Sequence, residues 1–541
     1  MIRRMVVSAA VAVLFISITV AQKPVKRSAD AGNVEEITQE QLRDYLTFIA
    51  SDELEGRDTP SRGLNIAAKF IATHLSRWGY TPAGDNGTYY QKIALHRTKV
   101  KPAFTTAELN GQKFYFGTDL IASGIAANVT APLVYVKNGY IHKAKNIDPY
   151  QGITVAGKIM VVLGGLPKGI TPADFGGKMG VDFDSPANYA KNNGALGIIS
   201  MPSAQALAQW ERTRANAADR GSVTVPAFKK QDEKPAVPML TASAKLIEAI
   251  FAGEKTGVQS MTAKGSADSV ASFDLSAAKK LSFIIGVSVD TLSTQNIVAV
   301  LDGSDKKLKD EYVAFGAHYD HIGIRPEPVN GDSISNGADD DGSGTVGLMA
   351  MAEAYSKGTR PKRSLLFVWH MGEEKGLWGS RYFVEHPTVP LTGIVAQLNI
   401  DMIGRSRPDT GDASKNEDYS GPNEVFSIGS NMMSTEIGKL NETNNAALYN
   451  LKLNYKFDDP SDPNKLFYRS DHYNYAKAGI PIVFFFDGIH EDYHRVTDEV
   501  SKIDFEKLMK VTKTIFGLGW RLSNLPKRPA VDKQFDRDVM N

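Results

Sequence analysis

From residue 284 onward the chain alternates short apolar runs with amphipathic helical stretches, and this alternation constrains its fold more than any other feature. NIVAVL, EYVAFGAH, RSLLFVWH, GIVAQLNID and GIPIVFFFD are the strand candidates, while TVGLMAMAEAYSK and FEKLMKVTKTIFGLGWRLS are the helix candidates. Such a pattern predicts an α/β sheet covered by helices. The residues just past each strand are equally telling. EYVAFGA runs into His318, with Asp320 two residues on. An ADDD loop then opens a helix over 342–357. RSLLFVWHMG runs into Glu373 and Glu374, GIVAQLNI into Asp401, and GIPIVFFFDG through a short loop to His494. Ligands of open α/β sheets bind beyond the carboxyl ends of the strands, so these distant segments can converge on one place.

The stretch SNGADDDGSG, residues 335–344, sets Asp339, Asp340 and Asp341 side by side between glycines. Taken alone it reads first as a solvated loop, where water and salt screen the repulsion. The sharper reading, second on this stretch alone, is a cation that needs hard oxygen ligands with a backbone free to bend around it, a structural calcium ion being one such cation. Together with the other strand-end residues, the set suits zinc, because imidazole and carboxylate bind zinc well without a thiolate. Two histidines, two aspartates and one glutamate are enough for two ions. One aspartate would bridge them at a separation of roughly 3.5–4 Å.

The remaining sequence sets the frame. MIRRMVVSAAVAVLFISITVAQ has a basic start, an apolar run from Met5 to Val20 and small residues before Gln22. This is a signal-peptide pattern, shorter than the roughly 20 residues of a spanning helix. It predicts export to a periplasm or beyond, with no stable membrane insertion after cleavage. Residues 22–35 read as a linker, and Thr38 with Gln41 has capping-box spacing behind a staple of Ile37 and Leu42. Between 126 and 283 the texture changes to short apolar strands without clusters of acids, bases or metal ligands, which predicts an inserted domain. The tail from 526 to 541 is charged and proline-containing, and reads as loosely attached. The formal net charge of +1 gives no field for nucleic acid. The absence of cysteine removes disulfides, thiolate ligands and a cysteine nucleophile. No GxSxG elbow supports a serine mechanism.

The motifs AHYD, GADDDGSG, GEEKGLWGS, LNIDMIG, RSDH and DYHRVTDE, in this order, resemble those of the M28 zinc aminopeptidases, the co-catalytic dizinc exopeptidases. The resemblance covers roughly 37–125 and 284–525, and the insert resembles the mostly-β protease-associated domain of many members. It implies a mixed, mainly parallel sheet of the zinc exopeptidase type (phosphorylase/hydrolase-like), with 36–125 and 284–525 as the two parts of the catalytic domain. It further implies two zinc ions per chain. His318 and Asp401 would hold one, Glu374 and His494 the other, and Asp340 would bridge them, with a cis peptide after it. Glu373 would be the general base, and Asp320 would bond the far nitrogen of His318. Tyr493 would donate a hydrogen bond to the substrate carbonyl, or else simply pack as an aromatic. Asp339 and Asp341 would serve the backbone turn and helix start.

The implied activity is removal of N-terminal residues from peptides with a free amino terminus, using water activated by the two zincs. Three alternatives stay open. A carboxypeptidase of similar architecture would need a cationic pocket, with Arg405 or Arg469 as candidates. A glutaminyl cyclase-like enzyme typically uses one zinc, which the full ligand set speaks against. A non-catalytic relative would have lost ligands, and here all five positions are filled. His321 and His370 are assigned to the core or wall, His472 to a structural role supported by Asp471, and His142, His386 and His490 to none. The oligomeric state stays open.

Overall fold

The computed structural model describes residues 32–262, 270–459 and 461–533. The expected signal peptide, residues 1–21, lies outside the described residues, as do 22–31 of the expected linker and 534–541 of the tail.

Ten strands form the larger sheet. At its centre four parallel strands run side by side in the order Ser364–His370, Tyr312–His318, Ile394–Ile400, Ile482–Phe486. Almost every residue in them is buried, because helices cover both faces. That is why they read as unbroken apolar runs rather than as alternating patterns. Antiparallel strands extend both sides, Val287–Leu301 against Ser364–His370 and Glu424–Ile428 against Ile482–Phe486. The chain passes from Tyr312–His318 to the neighbour on one side, then crosses to Ile394–Ile400 on the other. This reversal opens a crevice at the carboxyl ends of the strands.

One face packs against the helices Gln39–Ile49, Gly344–Lys357 and Phe505–Asn524, with Leu46, Met349, Leu508 and Ile515 fully buried in a common core. The other face packs against Trp378–Glu385 and His472–Lys477 through Phe383, Tyr475 and Ala476. Thr38 caps its helix by accepting from the Gln41 amide, and Ile37 and Leu42 are both buried. The Gln41 side chain does not return to the cap. It donates to Glu353, so the capping box is only half made.

The second sheet takes in residues from Thr106 to Ile285. It begins ahead of residue 126, because the strands Thr106–Leu109 and Gln112–Tyr115 pair into it and not into the larger sheet. It is also mixed rather than mostly β. Its inner strands Ala127–Tyr135, Ile159–Leu163, Gly197–Met201 and Met239–Ala242 are parallel neighbours, and parallel neighbours require crossover connections. Helix Pro186–Asn193 supplies one of these and ends at a left-handed Gly194. Ser222–Thr224 leaves this unit and pairs with 96–98 at the edge of the larger sheet. Single residues of the expected linker and tail that fall within the described part are tied to the core. Val34 is buried, and in the tail Arg528 pairs with Glu311 at 2.7 Å.

Arg57 joins the N-terminal segment to the loops at the strand ends. It is fully buried and donates from Nε to Tyr319 O (2.9 Å), from Nη1 to Ile49 O and Asn336 O (2.5 and 2.7 Å), and from Nη2 to Gly337 O (3.0 Å). Burial lowers its pKa to about 10, against the pull of Asp320 and Asp341, so it remains a cation at neutral pH. Arg57→Ala leaves four buried carbonyls without this donor. It is expected to cost about 3–5 kcal/mol, read as a lower urea midpoint with an unchanged slope.

Candidate metal centre

Four of the candidate ligands, His318, Glu374, Asp401 and His494, stand at or beyond the ends of the central parallel strands, and Asp340 lies in the turn Ala338–Ser343 that opens the helix Gly344–Lys357. His318 closes its strand and is buried. Its Nδ1 lies 3.1 Å from the backbone carbonyl of Asp320. A carbonyl can only accept, so Nδ1 carries a proton and Nε2 is the nitrogen turned toward the site. Nε2 faces Asp340 Oδ1 at 3.4 Å and Asp401 Oδ1 at 3.5 Å. Asp401 directly follows the strand Ile394–Ile400, and its other oxygen accepts from Ser470 Oγ at 2.7 Å. Ser470 accepts in turn from Asn399, and Asn399 from Gln397. Residues 397, 399 and 401 share one face of the strand, so the period of two lines up this relay.

The three adjacent aspartates divide their work. Asp341 accepts from three backbone amides, His318 N (3.2 Å), Gly344 N (2.9 Å) and Met402 N (3.1 Å). Asp339 accepts from Gly404 N (2.7 Å) and lies 3.2 Å from His490 Nε2. Asp340 donates its amide to Asp498 and aims its carboxylate into the site. The Asp340–Asp341 peptide is cis. Asp340 Oδ2 lies 3.2 Å from His494 Nε2, and Glu374 Oε2 lies 3.0 Å from the same nitrogen. Asp340 thus reaches two groups of donors, as a bridging carboxylate does. Burial pushes the Glu374 carboxyl up and the Asp340 charge adds to this, but the facing His321 and His494 outweigh both and hold it below the usual range.

Among the described residues, His318 Nε2, Asp340 Oδ2, Glu374 Oε1 and His494 Nε2 are buried atoms with no hydrogen-bond partner. Buried polar atoms rarely stay unsatisfied, and these converge on one spot. Their nitrogen and oxygen chemistry fits zinc.

Glu373 lines an open cleft of about 1020 Å³, together with Tyr468, Arg469, Tyr473 and Tyr493. Burial raises its carboxyl well above the usual range; the charge of His318 opposes this, while those of Asp401 and Glu374 add to it. Tyr493 stacks on His494 with ring centroids 3.9 Å apart. A narrower cavity beside Asp340, Glu373 and Asp401 is walled by Met402, Leu466, Phe484, Phe486 and Ile489. Phe228, Lys230 and Glu233 of the insert form one side of the cleft, where the Arg381 guanidinium lies 4.0 Å from the Phe228 ring centroid.

Several assignments change. The Asp320 carboxylate stands 3.8 Å from His318 Nδ1, too far for a hydrogen bond, because the Asp320 carbonyl takes that place. The carboxylate accepts instead from Thr59 Oγ1 (3.1 Å) and from the backbone amide of Glu373 (3.2 Å). Asp471 lies against His370 at 3.4 Å, while His472 turns to Phe467 O at 2.7 Å and stacks on Phe484. Arg405 is buried and pairs with Asp492 at 2.9 Å, so it cannot receive a substrate carboxylate. His321, Ser470 and His490, none of them assigned a part in the site, are brought into it or directly beneath it. Ser470 stands inside the RSDH motif, and His321 comes directly after AHYD; those positions were the available signals.

Asp341→Ala is expected to cost about 2–4 kcal/mol in urea denaturation through three lost backbone hydrogen bonds. The exposed Asp412→Ala should change stability by less than about 0.5 kcal/mol.

Residues 296–518 match the family model for Peptidase family M28. A probable zinc metalloprotease of Leptosphaeria maculans is 26% identical over 310 residues, covering 52% of this chain and 65% of that protein. A probable leucine aminopeptidase of Trichophyton verrucosum is 27% identical over 238 residues, covering 42% of this chain and 57% of that protein. The chain thus spans about 57–65% of the length of these two relatives. An aminopeptidase from Aneurinibacillus sp. strain AM-1 shares the fold at 18% identity, with a TM-score of 0.53 over 94% of this chain and 99% of that one. The stretch that carries every candidate ligand from His318 to His494 thus lies within the residues that match Peptidase family M28.

Proposed function

We propose that the protein is an exported aminopeptidase that holds two zinc ions and hydrolyses the first peptide bond of substrates with a free amino terminus. The observation that carries this reading is the convergence, beyond the ends of the central strands, of buried nitrogen and oxygen atoms of His318, Asp340, Glu374 and His494 without hydrogen-bond partners among the described residues. His318, Asp340 and Asp401 would hold one ion, and Asp340, Glu374 and His494 the other. Zinc bound there supplies Lewis acidity for the scissile carbonyl and lowers the pKa of water at the site.

The chain's own residues supply the rest. Glu373 takes a proton from the attacking water and returns it to the leaving amine from its place on the cleft wall. Asp320 acts on this step only through position, by fixing the Glu373 backbone amide. Tyr493 stands at the cleft wall where its hydroxyl donates to the developing oxyanion. Asp401 and Glu373 give the substrate ammonium acidic neighbours. The apolar walls of Met402, Phe484 and Phe486 favour an apolar first side chain. A carboxypeptidase needs a free cation for the substrate carboxylate. Of the two arginines considered for that role, Arg405 is engaged with Asp492 and Arg469 is exposed, so the aminopeptidase reading is preferred. Export rests on the N-terminal sequence, and the protease-associated assignment of the insert rests on the resemblance.

Dialysis against chelator is expected to abolish cleavage of aminoacyl-nitroanilides, and zinc to restore it. Leucyl and phenylalanyl substrates should exceed aspartyl and lysyl ones by tenfold or more in kcat/KM, and N-acetylated peptides should resist. Glu373→Gln should lower kcat by roughly 10²–10⁴-fold with zinc content unchanged. Cleavage of N-acetylated peptides from the carboxyl end would replace this reading with the carboxypeptidase one.

A further inference from the structure

His321 has no part in the mechanism above, yet its ring is fully buried against the site. Neither ring nitrogen has a hydrogen-bond partner among the described residues. Nδ1 lies 2.8 Å from Glu374 Oε1 and 3.6 Å from Asp340 Oδ2. The shorter contact is not aligned as a hydrogen bond, and Glu374 Oε1 is left equally unsatisfied. A buried polar atom without a partner costs free energy, and here two face each other. A cation shared between them satisfies both.

The surroundings hold the ring in that place. The His321 amide donates to Arg57 O at 3.2 Å. Gly337 turns past it with φ +58°, and a Cβ there would lie 2.5 Å from His321 Cγ. The donor atoms of His321, Asp340 and Glu374 lie within 4.8 Å of one another. His494 Nε2 reaches the same two carboxylates at 3.2 and 3.0 Å. The two imidazoles stand 5.7 Å apart at 69°.

We propose that His321 is a fourth protein ligand at the Asp340, Glu374 and His494 position, closing it with two imidazoles and two carboxylates. The proposal rests on the two-zinc reading and adds an asymmetry to it. The His318, Asp340 and Asp401 position has three protein ligands and keeps an open side. Zinc sites with four protein ligands serve as anchors, and those with three leave room for water or substrate. The closed position holds its zinc more tightly and exchanges it more slowly.

The test titrates zinc alone into chelator-stripped full-length protein against a competing chromophoric chelator. Wild type is compared with His321→Ala and His321→Gln, each checked for fold by circular dichroism. The expected result is two zincs in wild type, with the tighter affinity lowered roughly 10–100-fold in His321→Ala and the weaker one unchanged. Cobalt loaded first into wild type should give the intense visible absorption of a tetrahedral ion, weakened in His321→Gln. Both affinities staying within twofold in both variants, or a weak octahedral-type spectrum in wild type, overturns the assignment of His321 and leaves the two-zinc reading standing. Wild type that binds fewer than two zincs overturns both.

Discussion

Buried negative charge at the carboxyl ends of four parallel strands is the constraint around which this protein is arranged. Asp320, Asp339, Asp340, Asp341, Asp401, Asp471 and Asp498 are all buried there, with Glu373 and Glu374 beside them. Removing carboxylates from water costs several kcal/mol each unless something answers the charge. Three kinds of answer are present. Backbone amides hold Asp339, Asp341 and Asp498. Fixed cations stand close by, Arg57 beneath the loops and Arg405 among Asp492 and Asp498. The third answer is the candidate metal centre, into which Asp340 and Glu374 turn oxygens that have no hydrogen-bond partner among the described residues.

The same arrangement links stability to chemistry. Arg57 bonds the backbone just past His318 and just before Asp340, so the N-terminal segment fixes two ligand loops relative to each other. Asp320 fixes the Glu373 amide, and the row Gln397, Asn399, Ser470 orients Asp401. Positions good to a fraction of an ångström come from such supports rather than from the ligands themselves. The second unit contributes too. It places Phe228, Lys230 and Glu233 along the cleft, so what the site admits depends on both units.

The candidate ligands were legible because strand periodicity and strand ends are local properties. EYVAFGAH followed by YDH, and GIVAQLNI followed by Asp401, announce where side chains must emerge. Partners across space were not legible. Asp320 resembles a support for the His318 ring, but the turn after the strand brings its own carbonyl closer than its carboxylate. Asp471 is adjacent to His472 in sequence and faces His370 in space. The start of the second sheet was misplaced because 106–115 reads like any exposed hairpin until its pairing strand, Lys280–Ile285, is known.

The sequence by itself determined the parallel α/β core, the order of the ligand-bearing loops and the residue types at the centre. These come from hydrophobic period and donor chemistry, which each short segment carries alone. Only the tertiary structure decided that His321 turns toward Glu374 rather than into the core, that Arg405 is taken up by acidic partners and that the insert walls the cleft. Each of these depends on distances between segments far apart in the chain, and those distances exist only once the sheet has closed its register and the loops have packed against it.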